Sequence, residues 1–209
     1  MATSITARRC AHGIFCFCKS MFAPTRVRNA LHIVAATLLF SLPLAASAAS
    51  TGIVISQIYG AGGNSGAVYQ NDYVELFNLS GAPVSVTGWS VQYASATGTG
   101  TFASNGAVAL SGTIPAGGYY LVKLAGGTTG AVLPAADATG TINMAGGGGK
   151  VIVANVATGL ACNGSSTPCS AAQLAQIVDL VGQGSANFFE GAGAAPAPSA
   201  TLADFRANN

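Results

Sequence analysis

Asp72 and Glu75 are the acids best placed to do chemistry in this chain. They stand in Asn71-Asp-Tyr-Val-Glu75, at the head of an alternating apolar stretch, just after the glycine run Gly60-Ala-Gly-Gly-Asn-Ser-Gly66. Two carboxyls can share general acid–base work, but residues three apart on a strand point to opposite faces. The structural reading is that Asp72 fastens the amides of the Gly60–Gly66 loop, while Glu75 is tied to backbone or to a hydroxyl. The functional alternative is a calcium site built from Asn71, Asp72 and loop carbonyls, since Ca²⁺ takes oxygen ligands. Asp179, in Ile-Val-Asp-Leu-Val-Gly, and Glu190, after two phenylalanines, form a second candidate pair whose proximity the sequence does not reveal. Asp137 reads as a solvated turn residue.

The glycine run does not read as a phosphate cradle. Ser65 holds the place of the third glycine of G-x-G-x-x-G, and a strand follows where a helix would be needed. Gly146–Lys150 lacks the first glycine and the hydroxyl residue of a P-loop, and reads as a hairpin loop before Val151. Ser65 and Ser95 have no base to activate them. Tyr69, Tyr73, Tyr93, Tyr119 and Tyr120 could pave a binding face, but aromatics on alternating strands are more often core or cross-strand partners.

What surrounds these residues narrows the chemistry further. Arg26 and Arg28 precede the apolar run Ile33–Leu44 and the small-residue site Ala46-Ser47-Ala48. That is the order of a secretory signal, with an apolar region of about 7–15 residues; a spanning helix needs about 20. Residues 1–48 are therefore read as the signal region, cleaved after Ala48, with Met21 the expected true start. No membrane span is expected after cleavage. Both histidines, His12 and His32, fall in the removed part, which excludes His-based triads, acid–base catalysis and metal binding. The full chain carries a net charge of +2, but beyond residue 48 only Lys123, Lys150 and Arg206 oppose six acids. So few cations cannot neutralise many phosphates, and direct nucleic-acid binding is disfavoured.

Of the five cysteines, Cys10, Cys16 and Cys18 precede the apolar run, and Cys162 and Cys169 remain. An even number in an exported chain reads as one disulfide. The alternative, a reactive or metal-binding pair, has no histidine partners, and the spacing fits no common zinc pattern.

Short runs rich in β-branched and aromatic residues recur along the chain: 53–58, Tyr73–Phe77, Trp89–Tyr93, Ala107–Leu110, Tyr119–Leu124, Val151–Ala154 and Ile177–Val181. Gly, Pro, Ser and Asn separate them. This pattern predicts an all-β immunoglobulin-like sandwich of about seven short strands. In the first run, Ile53, Ile55 and Gln57 are expected on one face and Val54, Ser56 and Ile58 on the other. Ser170–Gln176 can form one or two helical turns capped by Ser170. The sandwich is placed at 49–195 and an irregular, Gly-, Ala- and Pro-rich tail at 196–209.

The stretch IVISQIYGAGGNSGAVYQNDYVELFN, followed by a Pro-containing turn and Gly88-Trp89-Ser-Val-Gln-Tyr93, resembles the lamin tail domain. So do the turn Pro115-Ala-Gly-Gly before Tyr119-Tyr120-Leu121, the run 132–143, Gly149-Lys150-Val151, Asp179-Leu-Val-Gly182, and Phe189-Glu190 with the Ala/Pro run after it. The order of these pieces carries the resemblance over nearly the whole exported chain. It implies an immunoglobulin-like module, also found at the front of secreted bacterial nucleases of the endonuclease/exonuclease/phosphatase type. Trp89, opened by Gly88, is then expected to anchor the core from an inner sheet face, with Asp72 and Glu75 in structural roles. Asn78-Leu-Ser and Asn163-Gly-Ser match glycosylation acceptors, but the signal and the resemblance imply a bacterial origin, so they are discounted. The expectation is a secreted, extracellular, non-catalytic binding, targeting or scaffold module with a protein or cell-surface partner and no cofactor, Ca²⁺ excepted as the alternative. The second expectation is an amino-terminal accessory piece of a metal-dependent nuclease whose catalytic part lies outside this chain.

Overall fold

The computed structural model describes residues 52–207. The expected signal region, with its three cysteines and two histidines, lies outside the described residues. Eleven strands are formed: β1 (Ile53–Tyr59), β2 (Asn71–Asn78), β3 (Val84–Ser85), β4 (Ser90–Ser95), β5 (Ala107–Ala109), β6 (Thr113–Ile114), β7 (Tyr119–Gly126), β8 (Ala138–Thr139), β9 (Gly149–Ala154), β10 (Ile177–Gly182) and β11 (Asp204–Phe205). Seven of them exceed two residues, and these form the frame of the sandwich. One sheet runs β11-β1-β2-β7-β8 and a second β10-β9-β4-β5, with β3 and β6 as a separate two-stranded ribbon. All pairings are antiparallel except β7 with β8. The chain is an all-β, immunoglobulin-like sandwich. None of its described helices is long and apolar enough to cross a membrane.

The main core lies between the sheets. Ile53, Ile55, Ile58, Val74, Leu76, Val122 and Leu124 meet Val91, Tyr93, Val108, Val151 and Val153. β7 shows the cause plainly: Tyr120, Val122 and Leu124 are buried, while Tyr119, Leu121 and Lys123 face outward. β9 differs, being buried along its whole length. Ile152 and Ala154 face a second apolar cluster with Phe102, Leu160, Cys162 and Leu180. A 3-10 turn (Phe102–Asn105) and the loop through Cys162 cover that outer face. A third cluster, Tyr59, Ala61, Tyr73 and Leu133, sits on the outer face of the first sheet, with Tyr69, Ala200 and Ala203 against it.

Strict alternation fails in β1. Its register against β2 shifts between Ile55 and Gln57, so Ile58 rather than Gln57 joins Ile53 and Ile55 in the core. One extra residue in a strand reverses the facing of all that follow. The segment expected as an irregular tail also departs from that reading. It carries β11, whose Asp204 and Phe205 pair with Ile58 and Gln57. Trp89 stands at the mouth of β4, half-buried against the main cluster. It shares the inward parity of Val91 and Tyr93, but β4 begins at Ser90, which leaves the indole at the rim. Gly88 before it turns with a φ of 84°, a left-handed conformation that glycine adopts without strain.

Cys162 and Cys169 are bonded, with Cα atoms 5.0 Å apart. The bridge frames a loop centred on Asn163, which is fully buried. Its Oδ1 accepts from the amides of Ser165 and Thr167, and its Nδ2 donates to the carbonyls of Gly98 and Gly100. Beyond the bridge, α1 (Ala171–Leu174) opens with a capping box between Ser170 and Gln173. The double variant Cys162→Ser, Cys169→Ser is expected to lose about 2.5 kcal/mol in chemical denaturation, the chain-entropy value for so short a loop. Thiol titration of the folded wild type then reads near zero at these two positions.

Candidate functional site

Asp72 sits at the inward-facing start of β2, 2 % exposed. Its Oδ1 accepts from the amide of Gly62 and its Oδ2 from that of Met144, both at 2.8 Å. One carboxyl thus joins the glycine loop after β1 to the segment before β9. The Gly62 amide gets this close because a Cβ there would fall inside the backbone of Asn71 and Asp72. Burial pushes the Asp72 carboxyl up to about 6, against the opposing pull of the Met144 and Gly62 amides. Asn71 sends Nδ2 to the carbonyl of Leu124. Each Asp72 oxygen already accepts a backbone amide, and Asn71 donates its Nδ2 to a carbonyl. Among the described residues no group of three acids or cysteines is arranged to hold a metal.

Glu75 lies on the opposite face of β2, where its Oε1 accepts from Ser56 Oγ at 2.8 Å. Asp137 accepts the amide of Leu121, and Asp204 accepts from Gln183 Nε2 at 2.6 Å. The two glycosylation-like asparagines are both fully buried. Asn78 holds its own turn by donating to the carbonyls of Ala82 and Ile114.

A charged cluster lies where the two sheets meet at β1 and β10. Asp179 is buried within β10; its Oδ2 accepts the amide of Ile55 at 2.7 Å. Arg206, just past β11, donates through Nη2 to both Asp179 oxygens, at 3.0 and 2.7 Å, and through Nε to the carbonyl of Ile55 at 3.0 Å. The ion pair therefore closes the amide and carbonyl of Ile55, an edge position that none of the described strands covers. Glu190 lies against Asp179, and its Oε2 is buried with no donor facing it. Burial, the Asp179 charge and a hydrogen bond to Asp179 raise the Glu190 carboxyl above its ordinary value of 4.5, while Arg206 pulls it down. A groove of about 410 Å³ opens beside this cluster, lined by β1 from Ile55 to Ile58, by Gly191, Gly193 and Ala195, and by Arg206. Sequence reasoning named Asp179 and Glu190 but missed Arg206, whose partners lie 27 and 151 residues away in sequence.

The tyrosines divide among three places. Tyr93 and Tyr120 are buried in the main core. Tyr59, Tyr69 and Tyr73 form an aromatic trio with ring centroids 5.6–5.9 Å apart. Tyr119 is exposed and packs on Phe77 at 4.7 Å. The outer face of the first sheet thus carries Phe77, Tyr119, Leu121 and Phe205 around Gln57, Glu75 and Lys123. Phe205 is 72 % exposed and Tyr119 58 %.

Residues 46–182 match the model of the Lamin Tail Domain family. No curated protein matches the chain. The matched span takes in every strand from β1 to β10, while Glu190, β11 and Arg206 follow it in the sequence. With two-thirds of its length under that match, and with the sandwich that the match implies, the chain belongs to the lamin tail domain family.

Proposed function

We propose that the protein is a secreted, non-catalytic module that binds a protein or cell-surface partner through the outer face of its first sheet. The observation that carries this reading is the fate of the acids. Asp72 holds two backbone amides, Glu75 a serine hydroxyl, Asp137 an amide, Asp204 a glutamine, and Asp179 an arginine and an amide. Glu190 is turned against Asp179. These are structural engagements, and general acid–base catalysis needs a carboxyl within reach of substrate.

The cations fit the same reading. Lys150 is buried against Asn187, Arg206 is paired with Asp179, and Lys123 is left on the outer sheet face. Phosphate recognition needs more positive charge than this. Exposed aromatic and apolar side chains gathered on one face mark an interaction surface. The test is retention of labelled protein on the surface of the cells that export it. The wild type is expected to be retained, and the variant Tyr119→Ser, Phe205→Ser to lose most of that retention while unfolding at the wild-type temperature. Equal retention of the two would refute this face.

A further inference from the structure

Ile55 at the edge of β1 is closed by two side chains rather than by a strand, and both belong to a cluster with an unusual third member. Asp179 reaches it from β10, Arg206 from the end of β11, and Glu190 from the loop between them. β11 itself contributes only two residue pairs, and the amide of Arg206 adds one bond to the carbonyl of Ser56 at 2.9 Å. So short a strand depends on the fastening at its end. That fastening puts two carboxyls against one guanidinium. Glu190 Oε2 is buried without a donor, so as an acceptor it is unsatisfied, which is costly. As the protonated acid Glu190 becomes a donor, and Asp179, which lies against it, is an acceptor.

We propose that Glu190, Asp179 and Arg206 form a proton-dependent latch that holds the C-terminal strand across the open edge of β1. With the proton in place, Glu190 donates to Asp179, and Asp179 keeps both Arg206 and the amide of Ile55. When Glu190 gives its proton to solvent, two carboxylates face each other over a single cation. The pair then repels, the 190s loop moves off Asp179, and β11 loses the contact that fastens it.

The charged groups around Glu190 are few. Asp179 faces it from β10 and Arg206 from the end of β11. Asp204, on β11, lines the same groove but is held by Gln183. Glu75, on β2, is held through Ser56, and Lys150, on β9, is engaged by Asn187. The sign follows from the direction of the Glu190 shift. A carboxyl raised in the folded state contributes stability that is complete below its ordinary value and lost as pH rises through the folded one. The latch is therefore closed in acid and opens toward alkaline pH. Opening uncovers the backbone of β1 from Ile55 to Ile58, an edge able to accept an incoming strand.

The test is hydrogen exchange of the whole protein followed by mass spectrometry across pH 4.5–8.5, corrected for intrinsic exchange, with carbon NMR titration of the Glu190 carboxyl alongside. In the wild type, exchange in peptides covering 53–57 and 199–207 is expected to rise several-fold with a midpoint matching the Glu190 titration, while peptides from β9 stay protected. Glu190→Gln carries a permanent amide donor and keeps both segments protected throughout. Asp204→Asn retains the wild-type response. The latch is overturned if Glu190 titrates at the ordinary glutamate value, if the two segments show no pH response, or if Glu190→Gln responds as the wild type does.

Discussion

Replacing Asp72 with alanine lowers the stability of the folded protein by about 2–4 kcal/mol, since two backbone amides in a closed site lose their acceptor at about 1–3 kcal/mol each, partly recovered by entering water. The amides are those of Gly62 and Met144, on the two connections that the one carboxyl ties together. Asp72→Asn keeps one acceptor and sets its Nδ2 against the other amide, so it recovers less than half of the loss. The effect depends on pH with a definite sign. Because the Asp72 carboxyl is pushed up to about 6 from 3.8, its contribution is complete below 3.8 and is lost as pH rises through about 6. Urea denaturation of wild type and variant at pH 4, 5, 6 and 7 should show the gap narrowing across that series. A gap that widens would mean that the amides outweigh burial in setting this carboxyl.

Arg206→Ala is the second large effect, about 3–5 kcal/mol, the cost of leaving one partner of a buried ion pair uncompensated. The partner left behind is the Asp179 carboxyl, 1 % exposed, with Glu190 against it. Asp179→Ala should cost less, about 1–3 kcal/mol for the buried amide of Ile55 that loses its acceptor. The Arg206 side chain it leaves behind is 32 % exposed and keeps water and the carbonyl of Ile55 as partners. Thermal unfolding of the two variants gives the order directly. If Asp179→Ala proves the more damaging, the hold on the Ile55 amide rather than the ion pair fastens the edge.

Much of the sandwich can be read from the pattern of residues. The alternation of Tyr119 through Leu124 sets β7 with its faces, and the pair Cys162 and Cys169, the two cysteines beyond residue 48, points to their bond. The failures have local causes. Ile58 occupies the core because a single shifted residue in β1 reverses its facing, and nothing in Ile-Ser-Gln-Ile marks the shift. β11 is two residues long and flanked by Ala, Thr and Leu, too short to show any period. Asn163 was visible only as an Asn-Gly-Ser triplet, and its buried contacts to the carbonyls of Gly98 and Gly100 depend on a distant loop. The Asp179–Glu190–Arg206 cluster joins three segments around an edge that exists only once β1 and β10 are side by side.

The acids of this protein act as fasteners, and the proposed role as a non-catalytic binding module rests on that. The most direct measurement is incubation of the purified protein, residues 49–209, with supercoiled plasmid in Mg²⁺ and in Ca²⁺. The account predicts no nicking above the rate of buffer with the same metal. Nicking that copurifies with the protein through successive columns and disappears in Asp179→Asn or Glu190→Gln, with folding intact, would contradict it.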